Sequence, residues 1–450
     1  MLEQLVSGLA RRGKFLDRSG LFRSLMNSEF GYWILERYVS GYIELLREPT
    51  NRNVLAAIKK ADGVAAAFMP DGKDRVFESG ILGAIKRNFE AAEETGVDTN
   101  FTLKTKRLLE LMGGKYIRTF FLDFMALRFG VGNLNDHHLG RKGEPFFHYL
   151  VVQPNSDCNT NSSCRLTCFA LKSRGKLGYE TLDRVVGESI ELGARFTIVV
   201  GGEPLLEKET LLQLFGKYRK MPFLLATNGI LVDDEFSAEV SELGNVMTVI
   251  NTPGLEAMTN QLRKNPKVWK DIVNAATTLR KHGAAVGFAS TVYSVNYEQL
   301  SSPEFAKQMI DLGMFMGLYF EYNNPVGTLG HKPIKGLGLT SGMRDDFSRR
   351  VQEVSGTYPL ILVNTIGGEN KIGGCPAARA GMVYVQSDGN VGGCPIVPQL
   401  SDRLNVHNGP LKKILNETYF KLLREERPVC LKSNNFPVRL QKAVDVVIPQ

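Results

Sequence analysis

The chain has 450 residues, of which 43% are hydrophobic and 23% are charged, and its formal net charge is +8. This composition is typical of a globular protein with a large core and room for two or three domains. Six cysteines are too sparse for a secreted disulfide scaffold, so we expect thiols that bind metal or react in a reducing, cytoplasmic compartment. The spread of the positive charge, without an arginine-rich tail or zinc-finger spacing, does not indicate nucleic-acid binding.

Residues 1–145 are predicted to form an α-helical domain, because apolar residues recur at steps of three and four. We predict no signal peptide, because the N-terminus lacks an apolar run followed by a small-residue cleavage site. We also predict no transmembrane helix, because no apolar run reaches about eighteen residues. The first helix places basic residues beside apolar ones, a pattern that can lie peripherally on a membrane surface. An ordinary solvated helix face is the alternative, because most surface helices are amphipathic. The basic residues are Arg11, Arg12, Lys14, Arg18 and Arg23.

From 146 to 335, short apolar runs alternate with helical patterns. This alternation predicts an α/β domain with a parallel sheet, either doubly wound or curled into a barrel. Ligands of such sheets bind at the carboxyl ends of the strands. The predicted strands lie in HYLVVQP, RFTIVVGG, FLLATNG, NVMTVIN, AAVGFASTVY and GLYFEYNNP.

Residues 336–450 are richer in glycine and turns, and they are predicted to form a small α+β domain. One hairpin is predicted in MVYVQSDGNVGG, where a turn sequence separates two short apolar runs. A helix is predicted in GPLKKILNETYFKLLREE.

Three cysteines follow the first predicted strand, with five and then three residues between them: Cys158, Cys164 and Cys168. Three thiolates from one loop can hold a single iron–sulfur cluster, and three ligands leave one iron of a four-iron cluster open. The three cysteines could instead bind zinc, but a zinc site usually has four protein ligands, and no histidine follows the triplet closely.

Phe169 follows the last of these cysteines, and Gly201, Gly202, Glu203 and Pro204 end the second predicted strand. In this combination, residues 146–335 resemble the radical S-adenosylmethionine (radical SAM) superfamily. The resemblance implies a partial (β/α)6 TIM-like barrel, a [4Fe–4S] cluster on the cysteine triplet, and SAM bound to the open iron. It also implies that the GGEP turn contacts the methionine part of SAM. Glycines at a strand end let the backbone approach a ligand closely, and a carboxylate or carbonyl there can accept hydrogen bonds from an ammonium group.

The cysteine spacing differs from the commonest form in that superfamily, which has three and then two intervening residues. The resemblance also implies polar contacts to the carboxylate and ribose of SAM, with Asn228 and Ser290 as the first candidates. Turn and capping roles are the alternative for such residues. The candidates at the strand ends are Asn228, Asn251, Ser290, Thr291 and Asn296. Pro325 follows the sixth predicted strand, in a stretch similar to the one that frames the adenine of SAM in radical SAM proteins.

A second cysteine triplet, Cys375, Cys394 and Cys430, surrounds the predicted hairpin. This arrangement resembles the SPASM or Twitch extension of radical SAM enzymes, which implies an auxiliary [4Fe–4S] cluster. Buried cysteines that act only as small hydrophobic residues are the alternative. We expect this domain to cap the open edge of the barrel.

The resemblance implies an enzyme whose reduced cluster cleaves SAM to a 5′-deoxyadenosyl radical, which abstracts hydrogen from an unactivated C–H bond. A flavodoxin- or ferredoxin-type protein is the implied reductant. The basic helical segment favours a lipid or isoprenoid-like substrate and carbon–carbon bond formation. Peptide or protein modification is the alternative. A non-catalytic iron–sulfur electron carrier is the alternative of another class, although the GGEP turn and the open iron argue against it.

Overall fold

The computed structural model describes residues 49–68, 80–99, 145–160, 175–322, 336–366, 381–394 and 404–421, with a few helical residues between 102 and 116. The chain divides into two compact units, Met1–Glu144 and Pro145–Gln450. None of the helices within these ranges is long and apolar enough to cross a membrane.

The described part of the first unit is helical, as the apolar periodicity predicts. Its helices are α1 (Asn51–Phe68) and α2 (Gly80–Thr95), which pack against each other. Val54 and Ile58 of α1 and Phe89 of α2 are buried. The basic amphipathic segment proposed for the membrane surface lies outside the described residues.

The second unit contains one nine-stranded sheet in the order β7-β6-β5-β4-β3-β2-β1-β8-β9. Eight of the strands are parallel, and β9 pairs antiparallel with β8. The strands are β1 (Tyr149–Val152), β2 (Phe196–Val199), β3 (Phe223–Thr227), β4 (Val246–Asn251), β5 (Ala285–Val292), β6 (Met316–Glu321), β7 (Ile361–Asn364), β8 (Met382–Val385) and β9 (Val391–Gly392).

Helices connect the successive parallel strands from β1 to β7. Three of them begin at a residue whose side chain accepts a hydrogen bond from the first turn: Asp233, Ser302 and Thr340. The helices are α3 (Tyr179–Glu191), α4 (Lys208–Lys217) after a 3-10 turn (Pro204–Glu207), α5 (Asp234–Leu243), α6 (Glu256–Arg263), α7 (Val268–Lys281), α8 (Tyr297–Leu300), α9 (Pro303–Asp311), α10 (Ser341–Thr357) and α11 (Leu411–Leu415), the last of which follows β9.

The two faces of the sheet have different surroundings, because successive side chains of a strand point to opposite sides. One face packs on the helices and forms the main core, which includes Val199, Leu225 and Phe288, all fully buried. Burial of each such side chain contributes about 1.5–3 kcal/mol to folding. The other face, called the inner face below, carries Val151 and Val249, which pack on neighbouring strands rather than on the helices.

All six predicted strands are confirmed as β1 to β6, and the predicted hairpin is confirmed as β8 and β9. The hairpin pairs with β1, so it covers that edge of the sheet, as expected for a cap. Sequence reasoning missed β7, which pairs with β6 at the opposite edge. This strand has only four residues, and the preceding helix α10 buries few apolar side chains, so neither element has a strong periodic pattern. Residues after 335 therefore extend the predicted six-stranded sheet at both edges.

Candidate functional site

Cys158 lies in the loop that follows β1, at the carboxyl end of the sheet. Its thiol is free and partly exposed. The Sγ atom of Cys158 lies 3.1 Å from Oγ1 of Thr160. A thiolate has no proton to donate, so the Thr160 hydroxyl is the donor whenever Cys158 is deprotonated. This hydroxyl is a polar neighbour that the cysteine spacing did not reveal.

The two glycines of the GGEP turn lie directly against the cysteine loop. A Cβ atom added to Gly202 would come within 2.0 Å of the carbonyl oxygen of Asp157, and one added to Gly201 within 3.0 Å of that of Asn155. The Glu203 amide donates to the same Asp157 oxygen at 2.7 Å. The close backbone approach expected at this strand end is thus an approach to the cysteine loop. No larger residue fits at position 202 without a shift of the backbone.

The Glu203 side chain is buried and makes its hydrogen bonds within the protein. Its Oε1 accepts from the Leu205 amide at 3.0 Å and from the Thr227 hydroxyl at 2.7 Å. Its Oε2 accepts from the Asn228 amide at 2.8 Å. The carboxylate therefore ties the end of β2 to the end of β3.

Burial is the largest influence on the acidity of Glu203 and raises the pKa of its carboxyl group. The hydrogen bonds from Asn228, Thr227 and Leu205 favour the ionised form and offset part of that increase. A carboxylate with its acceptor atoms already engaged in this way holds the turn in place.

Asn228 connects the end of β3 back to the cysteine loop. Its Nδ2 donates to Oδ1 of Asn159 at 2.7 Å, and Asn159 directly follows Cys158. The cysteine loop, the GGEP turn and the end of β3 thus form one hydrogen-bonded unit, called the rim unit below. Sequence reasoning identified Asn228 but missed Asn159, whose position beside the first cysteine was the available signal.

Ser290 and Asn296 lie near the same edge of the sheet, with their polar groups in internal bonds. Ser290 is on the helix side and donates to the carbonyl of Thr252 at 2.5 Å. The Nδ2 of Asn296 donates to the carbonyls of Pro253 and Thr291, and its Oδ1 accepts from the Tyr293 amide. Both side chains are about 1% exposed.

Asn251 and Thr291 lie on the inner face, in register with residues of the inner-face clusters. Asn251 ends β4, and its Oδ1 accepts a hydrogen bond from the Arg263 guanidinium. Thr291 lies one residue before the end of β5 and is almost fully buried. Among the predicted SAM contacts at the ends of β4 and β5, these are the two that face the inner side of the sheet.

Cys394 follows β9 and packs against the main core. It lies near Tyr419, where burial raises the pKa of the phenol. Within the part of the chain that the structure describes, no three His, Cys, Asp or Glu side chains are placed so that they could hold a metal ion. The other predicted site residues lie outside that part: Cys164, Cys168, Phe169, Pro325, Cys375 and Cys430.

The described residues fit a thiolate-bound cluster after β1. A thiol is a soft ligand suited to iron–sulfur clusters, and Cys158 is unbonded to another cysteine and reachable from solvent. Beside it, Gly201 and Gly202 lack side chains, which lets the end of β2 pack directly against the cysteine loop. These features are compatible with a cluster and a ligand at the rim unit.

No protein-family model and no curated protein match this sequence. Solved structures do match its fold. Streptococcus suis SuiB bound to S-adenosylmethionine has a TM-score of 0.51 and 15% identity, covering 76% of this chain and 80% of that chain. SuiB bound to the precursor peptide SuiA gives a TM-score of 0.51 and 13% identity over the same shares. A native anSMEcpe structure with bound AdoMet and Cp18Cys peptide gives 0.48 and 20%, covering 65% and 87%.

The chain therefore has the partial-barrel fold of the radical SAM proteins, as the sequence resemblance implies. The particular structures that share this fold over most of the chain include SuiB.

Proposed function

We propose that this protein is a radical SAM enzyme that modifies a peptide or protein substrate. The observation that carries the proposal is the rim unit, which joins Cys158 to the GGEP turn at the carboxyl end of a partial barrel. The structure of SuiB, which has the same fold, contains S-adenosylmethionine. When bound, a [4Fe–4S] cluster supplies the electron that cleaves SAM and so produces the 5′-deoxyadenosyl radical.

The protein residues hold and orient the reactants in this proposal. Cys158, Cys164 and Cys168 bind the cluster. Gly201 and Gly202 let the turn pack against the cysteine loop, which places their backbone beside Asp157, the residue before Cys158, where it can contact the methionine part of SAM. Asn251 and Thr291 face the inner side of the sheet and bind polar groups of SAM there. Phe169 and Pro325 complete the predicted SAM site.

A peptide substrate is favoured over a lipid because SuiB, which shares this fold, has been crystallised with the precursor peptide SuiA. Phe320, Ile361 and Val363 expose 42%, 37% and 40% of their surfaces along β6 and β7, and this apolar surface can receive an apolar group of the substrate. The lipid hypothesis depended on residues that lie outside the described part of the chain, so the structure adds nothing to it.

Anaerobic incubation with SAM and dithionite tests the activity. We expect 5′-deoxyadenosine from the reconstituted wild-type protein and none above background from Cys158→Ala. Absence of 5′-deoxyadenosine from a wild-type protein with about four irons in its first site would instead favour the electron-carrier alternative.

Offering isotopically labelled peptides and lipids to the same reaction separates the two substrate classes. We expect deuterium to move from a labelled peptide to 5′-deoxyadenosine. Vesicle flotation with and without residues 1–50 provides the second arm, and flotation that depends on this segment together with label transfer from a lipid would contradict the peptide proposal.

We also propose an auxiliary [4Fe–4S] cluster on Cys375, Cys394 and Cys430. The supporting observation is that Cys394 follows directly on a hairpin that pairs with β1. Iron counting on the triple variant Cys158→Ala, Cys164→Ala, Cys168→Ala is the test. About four retained irons are expected, and near zero would show that the late cysteines hold no cluster.

A further inference from the structure

Asn155 is a buried polar residue at the start of the cysteine loop, three positions before Cys158. Its side chain is 1% exposed. Its Nδ2 donates to the backbone carbonyl of Glu203 at 3.1 Å, across 48 residues of sequence. Its own carbonyl accepts from the Gly202 amide at 3.3 Å. Asn155 therefore contacts the GGEP turn through both its side chain and its backbone.

The Asn155 side chain links a carbonyl of the GGEP turn to the cysteine loop. The amides of Gly202 and Glu203 already donate to that loop. The Glu203 carbonyl accepts two hydrogen bonds, one from the Leu206 amide at 3.2 Å within the turn and one from Asn155 Nδ2 at 3.1 Å. Because the Leu206 bond is local to the turn, the Asn155 bond is the one that fixes the orientation of the peptide between Glu203 and Pro204 relative to the cysteine loop.

We propose that Asn155 is a positioning residue that holds the GGEP turn at a fixed place relative to the cluster-binding cysteine. This inference rests on the proposed function, because the turn and Cys158 must then present one SAM molecule to one cluster. Loss of the side-chain bond lets the turn shift while Cys158 stays in its loop. SAM binding weakens in consequence, while cluster content stays the same.

Asn245, which also lies in the compact unit Pro145–Gln450, provides a matched control. It is 3% exposed, and its Nδ2 donates to three backbone carbonyls, those of Phe215, Tyr218 and Met221. In both asparagines the Oδ1 atom is buried and has no partner in the described part of the chain. Asn245 lies just before β4, at the amino end of the strands, so its replacement removes similar bonds without touching the rim unit.

The experiment compares N155A, N155D and N245A as reconstituted full-length proteins. The N155D variant keeps the shape of the side chain but has no amide donor. Iron content, the melting temperature, the Kd for SAM and the change in the EPR spectrum of the reduced cluster on SAM addition are measured for each. We expect both Asn155 variants to bind SAM about tenfold more weakly, with a smaller spectral change, at wild-type iron content.

We expect N245A to lower the melting temperature but to leave the Kd for SAM unchanged. The proposal is overturned if the Asn155 variants bind SAM as N245A does. It is also overturned if both Asn155 variants lose iron, because Asn155 would then serve cluster assembly. Wild-type protein that holds a cluster but shows no SAM-dependent spectral change would reject the proposed function itself, a result distinct from either of these.

Discussion

Among single residues, Glu203 has an unusual position for a charged group, with 1% of its surface exposed. Its carboxylate accepts three hydrogen bonds and joins two strand ends. Burying a carboxylate is unfavourable unless such bonds compensate for the lost water. The three hydrogen bonds of the Glu203 carboxylate hold the two strand ends together, and water cannot take over these bonds because the group is buried.

Glu203→Gln is expected to destabilise the protein by about 1–3 kcal/mol, because an amide NH₂ group must then face at least one donor. Burial raises the pKa of Glu203, so its folded-state pKa exceeds the unfolded-state value. The raised pKa contributes to the free energy of unfolding. This contribution is fully present below the unfolded-state pKa and is lost as pH rises through the folded-state pKa. The stability advantage of wild type over Glu203→Gln should therefore shrink as pH rises.

Urea denaturation at several pH values, from about pH 5 to about pH 8, measures this difference. A difference that grows with pH would show that the hydrogen bonds outweigh burial and lower the pKa.

Gly202→Ala is expected to disrupt the rim unit, because its Cβ would lie 2.0 Å from the Asp157 carbonyl oxygen, which belongs to backbone and cannot rotate away. We expect loss of SAM-dependent 5′-deoxyadenosine formation by at least about tenfold and a loss of stability of about 1–3 kcal/mol. Gly216→Ala in α4 is the control, since its Cβ would meet only a Leu243 methyl group at 3.9 Å. Equal activity in the two variants would contradict the close contact.

Thr160→Val is expected to lower the reduction potential of the first cluster. Hydrogen bonds to cysteine sulfurs help set the potential, and Thr160 Oγ1 lies 3.1 Å from the Cys158 sulfur. A donor there stabilises the more negatively charged, reduced form. Thr160→Ser keeps the hydroxyl and serves as the control. An EPR-monitored redox titration should place the valine variant below both wild type and the serine variant, and equal potentials would exclude this role.

Among the secondary-structure elements, the pairing of β8 with β1 connects the late part of the chain to the start of the cysteine loop. The Tyr384 hydroxyl of β8 donates to Oε1 of Gln153 at 2.6 Å, and Gln153 follows β1 directly. Both residues are buried. The hairpin therefore supports the loop that carries Cys158 as well as covering the sheet edge.

Tyr384→Phe is expected to cost about 1–2 kcal/mol of unfolding free energy and to lower SAM cleavage several-fold. Tyr319→Phe is the matched control, because it removes a buried hydroxyl bond of 2.8 Å to the Leu300 carbonyl, away from the rim unit. Denaturation and 5′-deoxyadenosine assays of both variants separate general destabilisation from loss of loop support. Similar activity losses in the two would mean that only stability is affected.

In the whole molecule, the main hydrophobic core belongs to the second unit. Every residue described for that core lies between Phe147 and Phe420. The described core residues of α1 and α2, including Val54 and Phe89, are not part of it. Folding of the sheet thus draws on contacts made within Pro145–Gln450.

A fragment of residues 145–450 is expected to fold cooperatively, retain its iron and cleave SAM with a rate within about threefold of the full chain. Circular dichroism, iron content and 5′-deoxyadenosine formation measure this. A fragment that aggregates or melts without a cooperative transition would show that the first unit is needed for folding of the second.

Local patterns in the sequence predicted the parts of the fold that depend on neighbouring residues. Six strands and the hairpin follow from short apolar runs and turn residues, because side-chain periodicity is a local property. The GGEP turn was recognisable because it follows the second predicted strand while the cysteine triplet follows the first. The β7 strand could not be predicted, since its four residues pair with β6 only after α10 folds back.

The sequence by itself determined which residue types stand at the strand ends, while the tertiary structure decided what each of them contacts. The Glu203 carboxylate accepts a hydrogen bond from Thr227, 24 residues away. The backbone carbonyl of Glu203 accepts one from Asn155, 48 residues away. Contacts over such separations arise from strand order and register, which periodicity does not specify. For this reason the contacts of Asn155 and Asn159 with the GGEP turn and the end of β3 form only when β1, β2 and β3 lie side by side.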